Sequence, residues 1–186
     1  MGQTRSDKIF FHVFPTLKVE DDIQILFEDV EVRKITTNSH RDFLRVHIFS
    51  RHLIQKKQIL QMEQRIKEQL FAKTAVNVEI IEEYVLSGQY TPEMLMEEYR
   101  ESILLELREK SMLAANMFAQ AKIHYEKGNI VCLELLDTIV SEGRKEEILK
   151  LLDRIFTQRF HMPADIRVTY RELDGEGTRE YDEQRI

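Results

Sequence analysis

Tryptophan is absent, and proline and glycine are scarce, at three and six in 186 residues. So few chain breakers exclude long irregular loops and point to a chain built of regular elements. The single cysteine, Cys132, excludes an internal disulfide. Its neighbours Ile130, Val131, Leu133 and Leu135 place it in an apolar strand, and a reduced, cytoplasmic setting is the expectation. No apolar run approaches the roughly 20 residues needed to span a bilayer, and the N-terminus lacks the basic, apolar and small-residue order of a secretion signal. No membrane partner is expected.

Chemistry-bearing motifs are missing as well. There is no P-loop, no glycine-rich dinucleotide turn, no GxSxG, no cysteine pair and no HExxH. The histidines at 12, 40, 47, 52, 124 and 161 lack metal-ligand spacing; the nearest pair, His47 and His52, sits across a strand end. Asp21-Asp22, Glu28-Asp29 and Glu82-Glu83 read as solvated carboxylates rather than Mg²⁺ ligands. The expectation is therefore no catalytic residue, no metal site, no cofactor and no small-molecule substrate in this segment.

What is present is a 42% apolar fraction, enough for one ordinary core or two small ones, and a 32% charged fraction with a net charge of −6. The charge is unevenly spread. Between Arg33 and Lys57, seven Lys/Arg face one acid, Asp42, so this stretch carries +6 and the remainder −12.

Along the chain, Ile9–Phe14 is a short apolar stretch ending at Pro15, either a docking strand or a short helix. Asp29–Ile35 and Phe43–Phe49 read as strands, the second alternating Leu44, Val46 and Ile48 with Arg45 and His47. Thr36-Thr37-Asn38-Ser39-His40 has hairpin turn chemistry. From Leu53 to Phe71 the period changes, with Ile59, Met62, Ile66 and Leu70 on one helical stripe. Val76, Val78 and Ile80 then alternate in a third strand ending near Tyr84.

Ser87-Gly88 marks a boundary. Thr91-Pro92-Glu93 opens a helix through Leu95, Tyr99, Ile103 and Leu107, since Thr caps free amides and Pro at the first position gives up no needed donor. Ser111 caps a second helix to about Phe118. The earlier order then returns: a strand over Ala119–Tyr125, a Glu126-Lys127-Gly128-Asn129 turn, a strand over Ile130–Leu136, a helix with Ile148, Leu151, Leu152, Ile155, Phe156 and Phe160 on one stripe, and a strand through Ile166, Val168 and Tyr170. Laying 77–84 over 165–172 sets a repeat offset of 88 residues.

This predicts an α+β fold of two small modules, residues 9–86 and 89–173, each a three-stranded sheet covered by helices, followed by a polar tail over 174–186. The αββαβ plan invites comparison with type II KH domains, but neither module contains the GxxG loop through which KH domains approach phosphates.

The basic stretch supplies the one candidate site. Arg41, Arg45 and His47 project from the solvent side of the second strand, and Arg51, His52, Lys56 and Lys57 open the following helix. Three readings stay open: the patch balances the acids of residues 20–31, binds an acidic protein surface, or binds nucleic acid.

The runs FFHVFPTLKVEDD (10–22), FEDVEVRKITTNSHRDFLRVHIFSRHLI (27–54), IKEQLF (66–71), QYTPEML (89–95) and ESILLELREKS (101–111) resemble the N-terminal region of the PolC-type DNA polymerase III α subunit of Gram-positive bacteria. The resemblance implies two small modules ahead of an OB-fold, a polymerase and histidinol phosphatase region with an inserted 3′–5′ exonuclease, and a DNA-directed polymerase core. Those parts have no counterpart in this sequence, which is expected to end at the linker toward the OB-fold. The resemblance further implies a non-catalytic, KH-like tethering role among replisome proteins, with the clamp-loader τ subunit as candidate partner and DNA reached through the parent polymerase. The alternative is an accessory module that binds single-stranded nucleic acid.

Overall fold

Alternating Leu44, Val46 and Ile48 fix which face of the middle strand is buried, and the first sheet is built around that strand. In the computed structural model, which describes residues 8–172, β1 spans Glu31–Thr37, β2 Phe43–Ser50 and β3 Asn77–Tyr84, in the order β1-β2-β3. β1 runs antiparallel to β2, and β3 runs parallel to it. A parallel neighbour requires a crossover, which is supplied by a helix over Lys56–Leu70 burying Ile59, Met62 and Ile66.

Two shorter helices, Phe10–Val13 and Asp21–Phe27, complete this unit. They are α1 and α2, and the crossover helix is α3. The open choice at Ile9–Phe14 thus resolves as a helix, with Ile9 alone bridging to Glu31. Phe10 is fully buried, its ring 5.0 Å from those of both Phe14 and Phe27. Each such side chain contributes about 1.5–3 kcal/mol by leaving water, so this cluster anchors the chain entry to β1. α3 starts three residues later than the periodicity predicts: Ile54 is buried in the extended approach to the helix, and Gln55 takes the N-cap position.

The hairpin turn is held by one side chain. Asn38 Oδ1 accepts from the Asp42 and Phe43 amides at 3.1 and 3.2 Å, and its amide group bonds Asp42. Arg41 lies inside this turn with φ 55°, a left-handed conformation that costs a non-glycine residue about 1 kcal/mol. It is therefore not on the solvent side of the second strand as expected.

The chain divides into two compact units, the first running to Tyr90 and taking in Gln158–His161, the second formed by Thr91–Thr157 and the stretch from Met162. Within the first, Phe160 stacks on Tyr84 with ring centroids 4.7 Å apart.

The second unit repeats the plan. α4 (Pro92–Lys110) is capped by Thr91, whose hydroxyl accepts from the Met94 amide, and α5 (Met112–Gln120) by Ser111, which accepts from the Ala114 amide. β4 (Lys122–Glu126), β5 (Ile130–Leu136) and β6 (Asp165–Arg171) form a sheet in that order, antiparallel then parallel. α6 (Ile139–Asp153) makes the crossover and continues as a π-helical segment over Arg154–Arg159. The strand expected from Ala119 begins only at Lys122, because α5 carries Ala119 and Gln120 in its last turn.

The architecture is α+β, with two three-stranded sheets and helices. Among the described residues no helix is long and apolar enough to cross a membrane. The polar tail expected over 174–186 lies outside the described residues.

Candidate docking surface

Because side chains alternate across a strand, the pairing register of the first sheet defines its solvent face. Lys34 pairs with His47 and Thr36 with Arg45 from β1, while Ile81 pairs with His47 and Glu79 with Arg45 from β3. A register shift between Val32 and Lys34 inserts Arg33 as an extra residue of β1. Its guanidinium lies over the Phe49 ring at 4.3 Å, and Arg51 lies over the same ring at 5.6 Å. Arg45 lies over Phe43 at 5.0 Å. Phe49 is only 8% exposed under this cover. A cation over an aromatic face gains about 0.5–1 kcal/mol at an exposed site, and here it also fixes the direction of a long side chain.

Carboxylates temper the charge. Glu31 pairs with Arg33 at 3.3 Å and Glu79 with Arg45 at 3.1 Å. Lys34 and Arg51 make no ion pair among the described residues. His47 adds no standing charge at neutral pH: burial first, then the Lys34 and Arg45 cations, lower its pKa against an opposing pull from Glu79.

The seven residues singled out from the sequence do not form one patch. Arg45, His47 and Arg51 share the solvent side of the sheet, with Arg41 in the turn. Lys56 belongs to the interior: its Nζ is 2.9 Å from Glu82 Oε1, with side chains 11% and 2% exposed. Within the same unit Arg159 Nε is 3.9 Å from the other Glu82 oxygen. His52 is a structural histidine, donating from Nε2 to the Leu26 carbonyl at 2.8 Å. Lys57 is exposed on the first turn of α3. Conversely, Arg33, Lys34, Phe43 and Phe49 were not singled out; the run FLRVHIF contains the aromatic pair at positions that share a face with Arg45, which is the signal that marks them.

The second unit holds a hollow of about 450 Å³ lined by Glu93, Glu97, Arg100, His124 and Tyr125 among others. Burial, then Glu93 and Glu97, push the Tyr125 phenol up to about 12, and Arg100 opposes them. The phenol therefore stays protonated at neutral pH.

The first unit is thus a small α+β module presenting a sheet face of aromatic rings overlaid by arginines. Residues 9–80 match the family described as DNA polymerase III polC-type N-terminus I. At family level the match associates that stretch with the N-terminal region of polC-type DNA polymerase III and with DNA replication. No curated protein matches the chain.

Proposed function

We propose that the first unit is a protein-docking module of the replicative polymerase, holding an acidic surface of another replisome protein in the cytoplasm, with the clamp-loader τ subunit as the candidate partner. The observation that carries this is the way arginines lie over Phe49 and Phe43. Guanidinium groups whose carbons lie 4.3–5.6 Å from ring centres are held on the sheet face, where their charge and donors suit carboxylates. The same cover works against the alternative, single-stranded nucleic acid, because a base needs an open aromatic face to stack on.

A KH-like reading of both modules rests on element order: α2, β1, β2, α3, β3 in the first and α5, β4, β5, α6, β6 in the second. Without GxxG such a fold keeps its sheet and loses its phosphate-approaching loop, which suits a tether. Polymerase and exonuclease chemistry then belong to the parent enzyme, and the second module, residues 89–173, serves as support.

The test is a titration of the 186-residue protein against purified τ and, in parallel, labelled single-stranded DNA at two salt concentrations. Saturable τ binding, weakened about tenfold by Lys34→Glu with Arg51→Glu, is the expected result. No τ binding at low salt and high concentration removes τ as partner. DNA binding that falls steeply with salt moves the function to template handling.

A further inference from the structure

The hairpin of the second sheet brings three potential ligands of different chemistry to one spot. His124 and Glu126 are two apart on β4 and so share a face. Cys132 on β5 is the direct cross-strand partner of His124, on that same face and diagonal to Glu126. One imidazole nitrogen, one carboxylate oxygen and the thiol sulfur all lie within 4.8 Å of one another. Cys132 is 5% exposed, while His124 and Glu126 are exposed.

We propose that His124, Glu126 and Cys132 form a binding site for a borderline-soft divalent cation of the zinc class. Bond lengths of about 2.0–2.3 Å to nitrogen, oxygen and sulfur place tetrahedral ligands about 3.3–3.7 Å apart, so rotation of the two exposed side chains toward the buried sulfur closes the shell. A thiolate with an imidazole selects zinc-class ions over Mg²⁺ or Ca²⁺, which require all-oxygen shells. Three protein ligands leave the fourth position to water or to a group from a partner. Binding exchanges one bond for another: the Sγ–H proton leaves to solvent as the Sγ–metal bond forms, and no electrons change hands.

The neighbouring cation sets the limit on affinity. Arg167, paired with Cys132 from β6, has Nη1 3.7 Å from Glu126 Oε2 and Nη2 3.0 Å from Asp165 Oδ2. A metal must take Glu126 from Arg167, which keeps Asp165 as its counter-charge. The site is accordingly one of modest affinity that responds to metal concentration.

The test uses the 186-residue protein and Co²⁺ as a spectroscopic probe, with Zn²⁺ in competition. The expected result is a thiolate-to-cobalt charge-transfer band with tetrahedral visible bands, bleached by Zn²⁺. His124→Ala and Glu126→Gln, both at exposed positions, are expected to weaken binding about tenfold or more, and Cys132→Ser to abolish the charge-transfer band with far-ultraviolet circular dichroism unchanged. Arg167→Ala, which lies beside the trio and ligates nothing, is expected to bind as tightly or more tightly. Absence of a thiolate band in the parent protein overturns the assignment. Equal loss of binding in Arg167→Ala also overturns it, because the losses then report on the sheet rather than on ligation.

Discussion

Removing the Lys56 ammonium leaves the Glu82 carboxylate, 2% exposed, short of its 2.9 Å partner. Breaking a buried pair from one side typically costs about 3–5 kcal/mol; the Arg159 guanidinium at 3.9 Å offsets part of that here. Lys56→Ala is therefore expected to lower the stability of the first unit by about 3 kcal/mol, and Lys57→Ala by no more than about 0.5 kcal/mol, read from urea unfolding curves of the two variants. A charge reversal meant to probe binding has to avoid Lys56 for this reason. Both lysines read alike in the sequence, since the partner that separates them lies 26 residues downstream on β3. A similar residue-level expectation concerns Arg41: Arg41→Gly relieves the left-handed φ of 55° and is expected to be neutral or stabilising despite the flexibility of glycine.

At the scale of elements, β3 is an edge strand, and α3 covers part of its edge. Glu63 on α3 accepts from the Ile80 amide at 2.8 Å, satisfying a ladder position that has no neighbouring strand. Burial pushes the Glu63 carboxyl from its ordinary 4.5 up to about 7; the Ile80 amide and Lys56 pull it down, and Glu82 and Glu79 push it further up. The folded protein thus holds this proton more tightly than the unfolded chain. Its contribution is fully present below about pH 4.5 and is lost as pH rises through about 7. Glu63→Gln keeps the acceptor oxygen and removes the ionisation. It is expected to be more stable than the parent at pH 8 by about 1 kcal/mol, after allowing for partial exposure, with the gap closing at pH 4. Paired denaturant titrations at the two pH values check this, and an equal gap at both would rule out ionisation of Glu63 as its source.

At the scale of the whole molecule, periodicity carried the architecture. β3 and β6 begin 88 residues apart, the offset legible from the alternation of their apolar residues, and the strand, strand, helix, strand order recurs around it. Local patterns report such features because a side chain's face depends on its own strand. The candidate surface was only half legible, since a cation's fate depends on what lies across the sheet: Glu79 opposite Arg45, Glu82 beneath Lys56, Phe49 beneath Arg33 and Arg51. The grouping of His124 and Glu126 with Cys132 was not legible because the spacing that unites them runs across a hairpin rather than along the chain. If docking belongs to the first unit alone, reversing an exposed charge on the second, as in Lys122→Glu, is expected to leave τ affinity within about twofold of the parent protein, while Arg51→Glu lowers it; the same titration reads both.

The extra residue in β1 has a genetic consequence. Loss of one codon within a strand ordinarily turns every later side chain to the wrong face. In β1, Val32 pairs with Ile48 and Lys34 with His47, neighbouring positions of β2, so the chain on either side of Arg33 is already in phase. An in-frame deletion of Arg33 is expected to heal into a regular strand that folds and has lost one guanidinium. Deletion of Arg45, in the uninterrupted β2, sends Val46 and Ile48 to the solvent side and is expected to abolish folding. The bulge is thus a position at which one codon can be lost without moving the core.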